Sequence, residues 1–238
     1  MTIRFLAVAG LMATLVAPLQ ADENAIRDSI ERNMPGVQVD SLAPAPVEGL
    51  YELRSGSDIV YITEDGKHLF TGSLIDLPAR ANLTENARAE MRAEFMDTLD
   101  ESDMIVFAPE GEQRHSITVL TDHTCPYCSR LHNELEDLTA AGVEVRYLLT
   151  PRQGERTSAF REASMILCAD DRVEAVDKAM RTKEVEGENC ADDLVREHMQ
   201  VAERMGMSGT PFIITESGMT VPGYRPAADL IRLLDAGR

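Results

Sequence analysis

Two cysteines separated by two residues, Cys125 and Cys128, form the most reactive pattern in this sequence. They enclose Pro126 and Tyr127 and follow the apolar run Ile117–Thr121, which predicts a β-strand leading directly into them. Proline fits the first turn of a helix, where its missing N–H has no intrahelical partner. Cys125 would then lie at the positive end of a helix dipole, which stabilises a thiolate, with Cys128 one turn inside. The pattern predicts thiol–disulfide exchange, with Cys125 as the nucleophile and Cys128 as the resolving thiol.

Zinc binding is the main alternative for a pair of cysteines at this spacing. His123 and His132 can supply further ligands, but no second C-x-x-C follows and no two histidines have zinc-finger spacing. A purely structural bridge in so short a loop would restrict the unfolded chain little. We therefore expect a redox centre with neither a metal nor a cofactor.

Other residues are expected to tune this centre. Pro126 and Tyr127, between the cysteines, influence thiolate stability. Thr210 and Pro211 precede a predicted strand, and a cis peptide bond between them would place backbone beside the sulfurs, although most such bonds are trans. Asp122 and His123 can tune the protonation of the first cysteine or can be ordinary polar loop residues.

The first 21 residues have the pattern of a secretory signal peptide. Arg4 precedes the apolar run Phe5–Ala17, which is too short to span a bilayer, and Ala21 is a small residue suited to cleavage. An uncleaved membrane anchor is the alternative. The formal net charge of −18 argues against nucleic-acid binding, which needs a basic surface.

Export changes the interpretation of the other two cysteines. Thiols tend to pair in an oxidising compartment, and four cysteines allow three pairings. The spacings favour Cys125 with Cys128 and Cys168 with Cys190. We interpret the second bridge as structural, with a second redox pair as the alternative.

Residues 22–81 are predicted to form a small α+β unit. An amphipathic helix carries Ile26 and Ile30 on one face, and a turn at Glu64–Gly66 predicts a hairpin over 59–70. This unit has little apolar material for independent folding, which indicates oligomerisation. A charged helix capped by Asn82 or Thr84 follows, and we interpret residues 82–103 as a helical linker, or alternatively as a helix packed on one domain.

Residues 104–238 are predicted to form an α/β domain. The order from Ile105 is strand, strand, helix, strand, helices, strand, hairpin and helix, with one helix carrying Leu131, Leu135 and Leu138 after the cysteines. A segment at about 155–205 has helical periodicity throughout and is predicted to be a helical insertion.

The sequence resembles the DsbC/DsbG family of periplasmic disulfide isomerases, and DsbC more than DsbG. The resemblance lies in Ile117–Cys128, Val145–Leu148, Pro151–Gly154, Ser208–Pro211 and Val221–Tyr224. It covers most of residues 105–238 and, by element order alone, residues 22–80.

The family implies an α+β N-terminal dimerisation domain, a helical linker and an α/β thioredoxin-like domain with a helical insertion, assembled as a V-shaped homodimer. It also implies a redox pair at Cys125 and Cys128, a cis-proline at Pro211 after Thr210, and a structural bridge between Cys168 and Cys190. Expected partners are misfolded or misoxidised exported proteins and a DsbD-like membrane reductase.

Isomerisation of non-native disulfides is the predicted function. Pro126-Tyr127 is similar to DsbG, whereas DsbC commonly has Gly-Tyr there, so reduction of single oxidised (sulfenylated) cysteines is the alternative. A redox-independent holdase chaperone and a monomeric DsbA-type oxidase are further alternatives. The oxidase offers no reason for residues 22–100.

Overall fold

The structure is a computed structural model that describes residues 23–237. The predicted signal peptide, 1–21, lies outside the described residues. The chain divides into two compact units. The first runs to Ser55 and adds Val60–Thr71, and the second holds Gly56–Ile59 and the chain from Gly72 onward.

The N-terminal region contains one helix and a four-stranded sheet. Helix α1, Glu23–Asn33, buries Ile26 and Ile30, as their spacing predicts. The sheet order is β1-β2-β3-β4, where the strands are β1 Ser41–Pro44, β2 Leu50–Ser55, β3 Asp58–Thr63 and β4 Leu69–Phe70. Strands β3 and β4 pair antiparallel, which confirms the hairpin predicted over 59–70.

A short two-stranded ribbon precedes the next helix. Strands β5, Ile75–Asp76, and β6, Ala81–Asn82, pair antiparallel, and helix α2 spans Leu83–Met96. The Asn82 side chain accepts a hydrogen bond from the Glu85 N–H, which confirms the predicted cap. Phe95 and Met96 pack on a core cluster of the second unit. These are the contacts of a helix packed on the second unit, and its role as a connector stays a prediction.

A five-stranded mixed sheet forms the centre of the second unit. Its order is β11-β10-β8-β9-β7, with β7 Ile105–Phe107, β8 His115–Thr121, β9 Val143–Leu149, β10 Phe212–Thr215 and β11 Thr220–Pro222. Strands β8 and β9 are parallel, and the other pairs are antiparallel. Strand β8 lies between β10 and β9, so the loop after Thr121 emerges from the middle of the sheet.

Six helices accompany this sheet in the second unit after β7. They are α3 Pro126–His132, α4 Leu135–Ala140, α5 Ser158–Cys168, α6 Arg172–Thr182, α7 Asp192–Arg204 and α8 Ala227–Ala236. The three helices α5, α6 and α7 lie between β9 and β10, where the sequence predicts a helical insertion.

The single helix predicted after the cysteines is wrong, because the chain forms α3 and α4 with a break at Asn133 and Glu134. The Glu134 carboxylate accepts hydrogen bonds from the Tyr224 hydroxyl and, at 2.6 Å, from the Ala227 N–H. Because these contacts come from the distant start of α8, local periodicity does not reveal the break. Leu131, Leu135 and Leu138 are nevertheless all buried in the core, as predicted.

Candidate active site

The central strand positions the cysteine pair. After β8, a turn closes through a hydrogen bond from the Cys125 N–H to the Asp122 carbonyl at 2.9 Å. Cys125 is the N-cap of α3 and has an extended backbone, while Pro126 occupies the first helical turn. The N-terminus of α3 is therefore directed at the first cysteine, and this geometry favours an anionic sulfur.

The two thiols differ in their protonation. Burial raises the pKa of Cys125, but hydrogen bonding from Thr210 and from the N–H groups of Cys128 and Tyr127 outweighs burial and lowers the pKa overall. Burial raises the pKa of Cys128 to about 11. An anion is therefore favoured at the first sulfur and opposed at the second, although both side chains are 1% exposed.

The segment before β10 contacts the first sulfur. The Thr210–Pro211 peptide bond is cis, and the Cys125 thiol donates to the Thr210 carbonyl at 3.5 Å. The Thr210 hydroxyl is buried and has no hydrogen-bond partner among the described residues. Since hydrogen bonding from Thr210 lowers the pKa of both thiols, this hydroxyl is a donor available to an anionic sulfur.

A buried carboxylate lies next to the second sulfur. Asp122 donates its N–H to the Cys128 sulfur at 3.5 Å, and its side chain accepts from Thr124 and from the Arg152 Nε at 3.0 Å. Burial raises the pKa of Asp122, but these hydrogen bonds together hold it below its usual value. The carboxylate is thus kept charged and already paired with the Arg152 guanidinium.

Lys183 supplies a second positive charge at this site. It is the C-cap of α6 with a left-handed backbone, φ 64°, and its Nζ donates to the His123 carbonyl at 2.8 Å, the Met180 carbonyl at 3.0 Å and the Ser129 hydroxyl. Within residues 23–237, no carboxylate lies within 4 Å of its Nζ. Burial lowers the pKa of Lys183, and the nearby sulfurs and Asp122 oppose this effect. The ammonium group therefore adds positive potential around the sulfurs.

The two histidines considered as zinc ligands have other partners. His123 pairs with Glu162 at 2.8 Å, and His132 contacts Asp177 at 3.1 Å and the Tyr147 hydroxyl at 3.3 Å. In the described part of the chain, no group of three or more His, Cys, Asp or Glu side chains has the arrangement needed to hold a metal ion.

The structure brings Cys125, Cys128, Thr210 and Pro211 together at one site. Tyr127 stands beside them at the surface, 56% exposed. The other two cysteines form a separate disulfide, Cys168–Cys190, which joins the end of α5 to the loop before α7. Their Cα atoms are 5.6 Å apart.

Sequence reasoning missed Arg152 and Lys183. Arg152 lies 30 residues from Asp122, and Lys183 lies 60 residues from His123, so only the tertiary fold brings these pairs together. The one available signal was the polar run after β9, Pro151–Gly154, which the resemblance included without a role for its arginine.

A thiol pair at the N-terminus of a helix after a central strand, opposite a cis-proline, defines a thioredoxin-fold thiol–disulfide protein. Residues 17–85 match the family described as "Disulfide bond isomerase protein N-terminal domain", and residues 101–238 match "Thioredoxin-like domain". The chain belongs to the DsbC family of thiol:disulfide interchange proteins, which confirms the resemblance noted in the sequence.

Individual relatives span nearly the whole chain. The thiol:disulfide interchange protein DsbC of Escherichia coli (strain K12) is 35% identical over 225 residues, which cover 94% of this chain and 92% of that protein. DsbC of Dickeya dadantii is 35% identical over 226 residues, covering 95% and 92%. A solved structure, a disulfide interchange protein from Neisseria gonorrhoeae, aligns with a TM-score of 0.51 and 28% identity, over 58% of this chain and 97% of that one.

Within residues 23–237, no helix combines the length and the apolar character needed to cross a bilayer.

Proposed function

We propose that this protein is a periplasmic disulfide isomerase that reduces and reshuffles non-native disulfides in exported proteins. The observation that carries the proposal is the difference between the two thiols. Hydrogen bonds at the start of α3 lower the pKa of Cys125, while burial raises that of Cys128 to about 11. One sulfur is ready to attack, and the other is held in reserve as a thiol.

Exchange begins at Cys125. The Cys125 thiolate attacks one sulfur of a substrate disulfide, forming a mixed disulfide and releasing the other substrate sulfur as a thiolate, which takes up a proton. In isomerisation the released substrate thiol attacks a different disulfide of the same chain. A final substrate thiolate then attacks the mixed disulfide, so that Cys125 leaves as a thiolate and the enzyme ends reduced.

The second cysteine limits the lifetime of the mixed disulfide. Cys128 loses its proton and attacks the Cys125 sulfur, forming the 125–128 disulfide and releasing the substrate with one more thiol. The nearby positive charges of Arg152 and Lys183 offset part of the cost of the anion formed at this sulfur. The oxidised enzyme then needs a dithiol reductant, and we propose a DsbD-like membrane protein for this step.

The redox-tuning roles belong to the same proposal. Thr210 donates to the anionic sulfur, Pro211 holds that backbone beside it, and Pro126 and Tyr127 shape the exposed side. We propose a structural role for the Cys168–Cys190 bridge, because it restrains the loop between α6 and α7.

We propose the domain organisation given by the sequence. It has a signal peptide at 1–21, a dimerisation domain at 22–81, a helical linker at 82–103 and a catalytic domain at 104–238. The family matches at 17–85 and 101–238 support a boundary in this region and, through the N-terminal family, a homodimer. Gel filtration of the exported chain tests the homodimer, and a monomer would contradict it.

Reduction of single sulfenylated cysteines is the second candidate, favoured by Pro126-Tyr127 between the cysteines. Here the Cys125 thiolate would attack the sulfenic sulfur and displace hydroxide, which takes up a proton to give water, and Cys128 would resolve the mixed disulfide.

The test is refolding of a scrambled, multiply bridged protein with the reduced full-length chain. We expect recovery of native disulfides with the wild type and none above background with Cys125→Ala. Equal recovery by the variant would leave a redox-independent holdase and exclude the proposal. Reduction of a sulfenylated protein without any reshuffling would favour the second candidate.

A further inference from the structure

An arginine near the cysteine pair in the sequence contacts two tyrosine rings. The Arg130 guanidinium carbon is 5.7 Å from the ring centroid of Tyr127 and 5.7 Å from that of Tyr224. Both distances fall within the range of cation–π attraction, which favours arginine because its planar group stacks on rings. Arg130 and Tyr127 are both exposed. These three residues, the Arg130 cluster, form a positively charged aromatic surface.

Two different segments of the active site hold the Arg130 cluster in place. Tyr127 follows Cys125 by two residues, at the start of α3. Tyr224 donates its hydroxyl to Glu134, and its neighbour Gly223 donates an N–H to the Pro211 carbonyl at 2.8 Å. One ring therefore belongs to the helix that carries the cysteines, and the other to the segment bonded to the cis-proline.

Within the described residues, no ion pair neutralises the Arg130 guanidinium. No carboxylate of residues 23–237 lies within 4 Å of its guanidinium nitrogens. Glu134, four residues on, uses its two oxygens for Tyr224 and Ala227. Asp229, the other acidic group near Tyr224, pairs with Arg232. The Arg130 N–H donors thus remain available to a group outside the chain.

Resting on the proposed function, we propose that Arg130 is a specificity-determining residue that favours disulfides flanked by carboxylates. The two rings limit the positions of the guanidinium, and one of them, Tyr127, lies between the two cysteines in the sequence. The exchange chemistry at Cys125 is unchanged. Arg130 attracts the anionic substrate before attack and stabilises the mixed disulfide that carries it.

The test uses small disulfides of different charge with the reduced full-length protein at low ionic strength. Dithiodipropionate is anionic, hydroxyethyl disulfide is neutral and cystamine is cationic. For two unit charges in water, a separation on the order of 7 Å corresponds to a rate change of about threefold. In Arg130→Gln, the ratio of the anionic rate to the cationic rate should therefore fall about tenfold from its wild-type value. Both rates are measured on the same variant, so a change in the stability of the Cys125 thiolate does not alter their ratio.

Arg204→Gln is the matched control, because Arg204 also lies over a ring, 4.0 Å from the Phe95 centroid, and the variant loses the same charge. Its ratio should stay at the wild-type value. An unchanged ratio in Arg130→Gln, or an equal fall in the control, would overturn the inference and leave the proposed function intact. Failure of the wild type to react with the neutral disulfide would instead overturn the proposed function.

Discussion

The difference in thiolate stability between Cys125 and Cys128 can be measured in variants that retain only one of these two cysteines. Cys128→Ala leaves the nucleophile at the helix N-terminus, and Cys125→Ala leaves the buried second thiol. Both side chains are 1% exposed in the folded protein, so a difference in their reactivity reports mainly the stability of each thiolate. We expect Cys125 to be alkylated faster at neutral pH.

The magnitude follows from the two pKa values. At pH 7, a thiol with a pKa of about 11, as at Cys128, is ionised in about one molecule in ten thousand. The pKa of Cys125 lies below the ordinary value of 9.0, so more than about one molecule in a hundred is ionised. A less basic thiolate is a weaker nucleophile, by about tenfold over two pKa units. The expected net advantage of Cys125 is at least about tenfold.

The assay is iodoacetamide alkylation from pH 5 to 10, followed by mass spectrometry of the intact protein. The rate should rise with a midpoint below 9 for Cys125, whereas for Cys128, with a pKa of about 11, it should still be rising at pH 10. Unfolding in urea provides the control, because the two variants should then react at equal rates. Equal rates in the folded proteins, or faster alkylation of Cys128, would refute this account of the site.

Three further outcomes are expected. Lys183→Met removes a cation that stabilises the thiolate of the reduced protein. The reduction potential measured against glutathione should therefore become more negative by on the order of 10 mV. Lys178→Met is the control and should not change the potential, because Lys178 pairs with Glu186. Replacing Cys168 and Cys190 by Ala opens a loop of sequence separation 22 and should lower the free energy of unfolding by about 3 kcal/mol in urea titrations, with Cys125 alkylation unchanged. Burial lowers the pKa of His198 from 6.5 to about 4. Between these two pH values the imidazole is protonated in the unfolded state but not in the folded state. The free energy of unfolding should therefore fall by up to about 3 kcal/mol as the pH drops from 6.5 to 4. His198→Gln should flatten that slope, and an unchanged slope would contradict it.

The features that could be predicted from the sequence are those that depend on residues close together in the chain. The run into Cys125, the proline after it and the spacing to Cys128 are local, and together they specify a strand, a helix start and the chemistry. The helix of Ile26 and Ile30 is equally local, because both residues lie on one face.

Features that depend on distant contacts were not predictable. Strand β1, Ser-Leu-Ala-Pro, has only Leu42 buried and carries a proline, and its conformation comes from pairing with β2. The cis bond before Pro211 has no sequence signature that separates it from an ordinary trans bond. Arg152 and Lys183 join the site only after the chain has folded.

Trapping of the mixed disulfide tests the central claim most directly. Reduced Cys128→Ala is mixed with a scrambled protein at neutral pH, quenched with acid, and the adduct is mapped by mass spectrometry. We predict a covalent complex joined through Cys125 that accumulates because no resolving thiol follows. No complex through Cys125, or an equal yield through the remaining thiol of Cys125→Ala, would contradict the proposed exchange.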